Sequence, residues 1–210
     1  LAPLEAPLLI RAERGTPLEP VARLLHEKSP RAKGPLVVAD CLSIRPGRAY
    51  ATLFGEEEGG APHPGWLRLS QGGSALLMDV PSLPMDAQRA LADALATRSA
   101  RAEGTTTSFT IDARIFGTSR VDLGTLVAAG AFDAELAERL GALTLVVPGI
   151  AERPEDLSSL VLLAIDRACR KLTVFLGEVV SGAPLLALKL FPEYEAMQAA
   201  RGVKAATPSD

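Results

Sequence analysis

Residues 7–39 read PLLIRAERGTPLEPVARLLHEKSPRAKGPLVVA, and this stretch decides the fold. Pro7–Ala12 is an apolar run short enough for a buried strand. Gly15–Thr16–Pro17 then turns the chain, and Val21, Leu24 and Leu25 recur at helical spacing within Leu18–Glu27. Pro20 is tolerated there because the first N–H groups of a helix have no partner inside it. Gly34–Pro35 stops the helix, and Leu36–Ala39 opens a second apolar strand. Strand, helix and strand in immediate succession predict parallel pairing, with the helix covering one face of a sheet.

The pattern repeats outward from this unit. Ser74–Val80 (SALLMDV), entered from Gly72–Gly73, predicts a third strand. Pro81–Pro84 opens a helix to about Arg98, with Ala87, Leu91, Ala94 and Leu95 on one face. Thr107–Gly117 predicts a fourth strand and Leu143–Val147 a fifth. Residues 1–152 therefore read as an α/β domain. From Pro154 the spacing is helical only, through Leu157, Leu160, Val161, Ala164, Ile165, Ala168 and Leu172. Leu185–Leu190 and Pro192–Arg201 predict two further helices, and Lys204–Asp210 a frayed tail. Residues 153–210 read as a small, truncated helical subdomain.

Composition narrows the function without naming it. The 210 residues are 48% hydrophobic and 22% charged, which suits a folded domain with a sizeable core. Twenty-two basic residues stand against 25 acidic ones, a net charge of −3, so no broad basic surface is available and direct nucleic-acid binding is not expected. No apolar run approaches the roughly 18 residues of a membrane helix. The two cysteines, Cys41 and Cys169, and two histidines, His26 and His63, lack metal-ligand spacing. They read as reduced thiols and scattered imidazoles, which points to the cytoplasm. The first residue is Leu1 rather than Met, so the chain reads as part of a longer protein with fused domains.

His26–Cys41, HEKSPRAKGPLVVADC, resembles the AAA+ ATPase domain of sigma-54-dependent transcription activators, the NtrC family. The resemblance continues at Leu53–Gly55 (LFG) and at Leu69–Asp79 (LSQGGSALLMD), which is similar to the family's Walker B strand. Ala128–Leu140 (AAGAFDAELAERL) resembles the segment bearing the arginine fingers, and Val147–Leu157 (VPGIAERPEDL) the entry to the lid. The resemblance implies a P-loop NTPase-like fold: a parallel five-stranded sheet sandwiched by helices, followed by a helical lid. It also implies proteins that hydrolyse ATP as rings and remodel sigma-54 RNA polymerase.

The positions that would carry that chemistry depart from the family's pattern. The implied phosphate cradle falls on Ala12–Glu19, so Arg14, Gly15, Thr16, Leu18, Glu19 and Asp79 would line a vestigial nucleotide pocket. Leu18 stands at the lysine position, where a lost charged hydrogen bond costs about 1.5–3 kcal/mol. Pro17 removes an N–H from the cradle, and Arg14 offers a cation from a different point of the loop. Asp79 keeps the first Walker B acid, but Val80 stands where the catalytic Glu would be, and valine cannot polarise water. The sensor asparagine maps onto Arg120, with Ser119 beside it. The two finger arginines map onto Asp133 and Arg139. The sigma-gripping loop is replaced by GEEEGGAPHPG at Gly55–Gly65, expected to be a flexible acidic loop around Glu56, Glu57 and Glu58. The lid's G-N-V-R-E-L motif has no counterpart after Tyr194.

The expectation is a pseudo-ATPase without catalytic residues or cofactor, acting as a protein-interaction module of a signalling or transcription regulator. It would be a monomer or weak oligomer, meeting partners through Glu56–Glu58 and the surface near Arg139 and Arg153. The alternative is an atypical activator that still binds ATP and magnesium. Each departure also has a plain structural reading. Asp79 suits a cap or solvent-facing carboxylate, Asp133 a helix N-cap and Arg139 an exposed helix arginine. His26 suits a packed or surface histidine, Cys41 a buried thiol, and Trp66 an anchor for the shortened loop. Leu18 and Val80 are expected to project toward the old pocket and partly collapse it.

Overall fold

The apolar strands lie side by side in a computed structural model that describes residues 1–13, 15–58, 61–162 and 164–166. The chain divides into two units, Leu1–Gly149 and Ile150–Asp210. In the first, β1 (Leu8–Ala12) leads through a turn into α1 (Glu19–Glu27), and β2 (Leu36–Asp40) follows. Next come α2 (Ala49–Phe54), a hairpin of β3 (Gly55–Glu58) and β4 (Ala61–Pro64), and the short α3 (Trp66–Leu69). β5 (Ser74–Met78) precedes α4 (Met85–Thr97) and a second hairpin, β6 (Ser99–Arg101) and β7 (Ser108–Thr110). β8 (Arg114–Ser119), α5 (Leu123–Ala128), α6 (Ala134–Gly141) and β9 (Thr144–Val147) complete the unit.

The main sheet has five parallel strands in the order β2-β5-β8-β1-β9. Alternation along each strand sends side chains to two cores. Leu9, Ala75, Leu77 and Ile115 face a cluster roofed by Leu53 and Phe54 of α2, Leu91 of α4 and Leu136 and Leu140 of α6. Leu8, Ile10, Leu76 and Phe116 face the other, roofed by Ala22 of α1. Ala87, Leu91, Ala94 and Leu95 of α4 are all buried, as their spacing predicts.

Close backbone packing brings β2 to β5. A Cβ on Gly73 would lie 2.0 Å from the carbonyl oxygen of Pro35, and one on Gly34 2.3 Å from that of Gly72. Only glycine allows this approach.

Two readings change. Thr107–Gly117 is not one strand: Ser108–Thr110 pairs back on Ser99–Arg101, and only Arg114–Ser119 joins the main sheet. Within the stretch expected as a flexible acidic loop, Gly55–Glu58 and Ala61–Pro64 are instead paired strands, in register. In the second unit, 3-10 turns at Ile150–Glu152 and Pro154–Asp156 precede helical residues at 157–162 and 164–166. The helices expected at Leu185–Leu190 and Pro192–Arg201, and the tail, lie outside the described residues.

Candidate functional site

Open α/β sheets place their sites at the carboxyl ends of the strands. Here the ends of β1, β5 and β8 carry Glu13 and Gly15–Leu18, Asp79–Val80 and Ser119–Asp122. The β1–α1 turn is held by the Thr16 N–H donating to the Glu13 carbonyl at 3.3 Å, with Gly15 left-handed at φ 89°. Arg14 lies outside the described residues. Arg120, at the implied sensor position, donates from Nη1 to the same Glu13 carbonyl at 3.2 Å. Arg11 forms an ion pair with Asp122, whose other carboxylate oxygen caps α5 by accepting from the Thr125 N–H at 3.2 Å. The turn is thus tied to the end of β8 by two arginines of this chain.

Leu18 does not project into an open pocket. It is 5% exposed and packs in the same core as Leu8, Ile10, Phe116 and Val147, at the N-cap position of α1 and without a side-chain cap. Glu19 in the first helical turn pairs with Arg23 at 2.9 Å. Thr16 is also buried, and its Oγ1 has no hydrogen-bond partner.

Asp79 adopts a left-handed backbone at φ 56°. Its N–H donates to Thr118 Oγ1 at 2.8 Å, and its Oδ2 accepts from the Ser82 hydroxyl at 2.5 Å. Val80 follows as the start of a 3-10 turn and is fully buried in the opposite core from Leu18. Position 18 therefore supplies no cation and position 80 no carboxylate. Positions 18 and 80, both among the described residues, thus lack the two side chains, a lysine and a glutamate, that the resemblance places there. Among the described residues, no group of three His, Cys, Asp or Glu side chains gathers to hold a metal ion.

The other positions have structural partners. Asp133 caps α6 by accepting from the Leu136 N–H at 2.9 Å, and its own N–H donates to Gln88 Oε1 at 2.8 Å. Arg139 pairs with Glu135 of the same helix at 2.6 Å. Arg153 belongs to the second unit and pairs with Asp156 at 3.2 Å. His26 is buried, with Nδ1 3.0 Å from Ser74 Oγ, so the packed reading of this histidine holds. Cys41 is buried too; desolvation, helped by the charges of Asp40 and Asp79, pushes its thiol up to about 12.

The acidic hairpin is docked rather than loose. The Glu57 N–H donates to the Glu103 carbonyl at 2.9 Å, and the Glu103 N–H to the Gly55 carbonyl at 2.8 Å. Arg48 forms an ion pair with Glu56. Trp66 begins α3 and packs partly buried against the core. A separate surface cavity of about 520 Å³ includes Tyr50, Phe54, Asp93 and Arg101 in its lining. Sequence reasoning missed the pairings of Arg11 and Arg120, because nothing in local spacing joins residues more than a hundred positions apart.

This arrangement can be set beside known proteins. The family model described as the sigma-54 interaction domain matches residues 1–146. The response regulator FleR of Pseudomonas aeruginosa is 33% identical over 183 residues, covering 85% of this chain and 38% of FleR. The regulatory protein LuxO of Vibrio cholerae is 35% identical over 179 residues, covering 83% of this chain and 34% of LuxO. The crystal structure of NtrX from Brucella abortus in complex with ADP superposes with a TM-score of 0.72 at 30% identity, covering 80% of this chain and 37% of NtrX. The chain thus spans between a third and two-fifths of the length of these relatives. Matched by the family model over residues 1–146 and by FleR at 33% identity across 85% of its length, the chain belongs to the sigma-54 interaction domain family, the AAA+ domain of sigma-54-dependent transcription activators.

Proposed function

We propose that this domain is a pseudo-ATPase of the sigma-54-activator type, a regulatory module of a bacterial, cytoplasmic signalling or transcription regulator that acts through protein contact. The carrying observation is Leu18, which occupies the implied lysine position and is buried in the core beneath α1. A lysine contacting phosphate must leave the helix N-terminus toward the ligand, whereas this side chain turns inward and stabilises the fold. Val80 adds to the reading, since a buried isopropyl group can neither orient nor deprotonate water. Arg120 supports it further by bonding to the Glu13 carbonyl within the turn.

The domain works as part of a longer regulator, as its span within FleR and LuxO suggests. The docked acidic hairpin and the exposed Arg139 surface are the faces offered to partners. Without nucleotide between subunits, a monomer or weak oligomer is the expected state in solution.

The glycine turn ahead of α1 favours a second reading, in which backbone N–H groups hold ATP as a structural ligand without turnover. Calorimetric titration with magnesium ATP, paired with a phosphate-release assay, separates the possibilities. The pseudo-ATPase reading expects no heat of binding below millimolar concentration and no phosphate release. Tight binding without release supports the second reading, and micromolar binding with turnover overturns both.

A further inference from the structure

Arg114, the first residue of β8, is 1% exposed, and its hydrogen bonds run to the segment that precedes β1. Nη2 donates to the Leu1 carbonyl at 2.9 Å, Nη1 to the Ala2 carbonyl at 2.8 Å and Nε to the Ala6 carbonyl at 3.4 Å. The guanidinium carbon sits 4.8 Å from the centre of the Phe116 ring. The nearby carboxylate of Glu5 is engaged by Arg31, whose Nε donates to Glu5 Oε2 at 2.5 Å and whose Nη2 donates to Asp112 Oδ1 at 2.8 Å. Desolvation lowers the Arg114 pKa, with Glu5 opposing and Arg31 reinforcing that shift. For Arg31, burial works against the charge, but Glu5 and Asp112 outweigh it and raise the pKa.

The segment itself contributes little apolar burial. Leu1 and Leu4 are each 45% exposed, and the Leu4 N–H donates to the Leu1 carbonyl at 3.2 Å in a turn of its own. A segment held by polar bonds alone opens more easily than one held by core packing. What it leaves behind on opening is costly, because a buried guanidinium without acceptors must be rehydrated.

We propose that residues 1–6 are a releasable strap, seated by Arg114 and Arg31, whose release loosens the shared register of β1 and β8. The strap enters β1 directly through Pro7, and Arg114 begins the neighbouring strand. The two strands are paired from Leu8 with Phe116 to Arg11 with Ser119. At their far end lie the Arg120 bond to the Glu13 carbonyl and the Arg11–Asp122 ion pair. Seating the strap at one end of this pair therefore holds the β1–α1 turn at the other. The device does not depend on whether the turn takes nucleotide.

A double-mutant cycle on the 210-residue chain tests this, combining deletion of residues 1–6 with Arg114→Met. Methionine fills the slot without needing acceptors. In the parent chain, deletion lowers the folding equilibrium constant about tenfold or more, the scale of one lost charged hydrogen bond. In the R114M background the same deletion changes it by less than about threefold, because no buried charge is stranded. Hydrogen exchange on the deleted parent chain quickens at residues 115–119 and at Glu13 and Thr16 together. Equal losses in both backgrounds overturn the proposal, as does faster exchange confined to residues 7–9. Should either variant fail to fold, Glu5→Arg in the intact chain breaks the Arg31 pair and weakens the seating of the strap. Faster exchange at residues 115–119 then supports the device, and unchanged exchange there overturns it.

Discussion

Leu18 occupies a position at which catalysis and packing make opposite demands. Burying a leucine is worth about 1.5–3 kcal/mol, and that benefit is lost if the side chain is replaced by one that must reach water. Leu18→Lys is therefore expected to destabilise the domain by about 2 kcal/mol, read from the midpoint of urea unfolding. It is also expected to leave magnesium ATP unbound in calorimetry, because Val80 and the Arg120 bond remain. Cys41 gives a second prediction. Its ordinary value is 9.0 and burial pushes it up to about 12, so the folded chain holds the thiol proton more tightly than the unfolded chain. The resulting stabilisation is fully present below about pH 9 and is lost as the pH rises toward 12. In a Cys169→Ala chain, thiolate absorbance should stay flat at pH 9.5, where an ordinary thiol is already mostly ionised; a midpoint near 9 would contradict the burial.

At the scale of elements, what the sequence disclosed depended on how local the cause was. The strands of the main sheet announce themselves as apolar runs between glycine and proline turns, and α4 as a face of Ala87, Leu91, Ala94 and Leu95. The hairpin of β3 and β4 carries no such signal. Glu56–Glu58 is an acidic run with poor strand propensity, and the pairing rests on remote partners: Glu103 at the backbone and Arg48 at the side chain. Residues 107–117 misled for a related reason. Their β-forming residues are continuous in sequence, but pairing of Ser108–Thr110 with Ser99–Arg101 draws part of them out of the main sheet. At the ends of β1 and β5, Leu18 and Val80 were legible, while the ties from Arg11 and Arg120 required the sheet to form first. The hairpin's stability has a sharp test at its base. A Cβ on Gly65 would lie 2.2 Å from the Gly55 nitrogen and 2.5 Å from the Phe54 carbonyl carbon, backbone atoms that cannot swing away. Gly65→Ala should cost about 3 kcal/mol, measured by thermal unfolding, and a loss below about 1 kcal/mol would mean the hairpin is not docked as described.

For the molecule as a whole, ligand linkage offers a reading independent of any single substitution. A ligand at a hundred times its dissociation constant stabilises the folded state by about 2.7 kcal/mol, which moves a domain of this size by several degrees. Magnesium ATP at millimolar concentration is expected to leave the melting temperature unchanged, and a rise of several degrees would refute the pseudo-ATPase reading. Light scattering on the same samples, with and without nucleotide, should report the same mass. The contact between Gly73 and the Pro35 carbonyl has a consequence for how such a chain can change over generations. A side chain at Gly73 or Gly34 would force β2 and β5 apart and forfeit the sheet, so mutations there are purged in any descendant that still folds. Replacing a phosphate-binding lysine with leucine does the reverse, trading an exposed charge for core packing. Under the proposed reading, in which turnover is not selected, inheritance filters these two kinds of site in opposite directions. If turnover is gone, the lineage has kept the outline of a motor after letting the engine go.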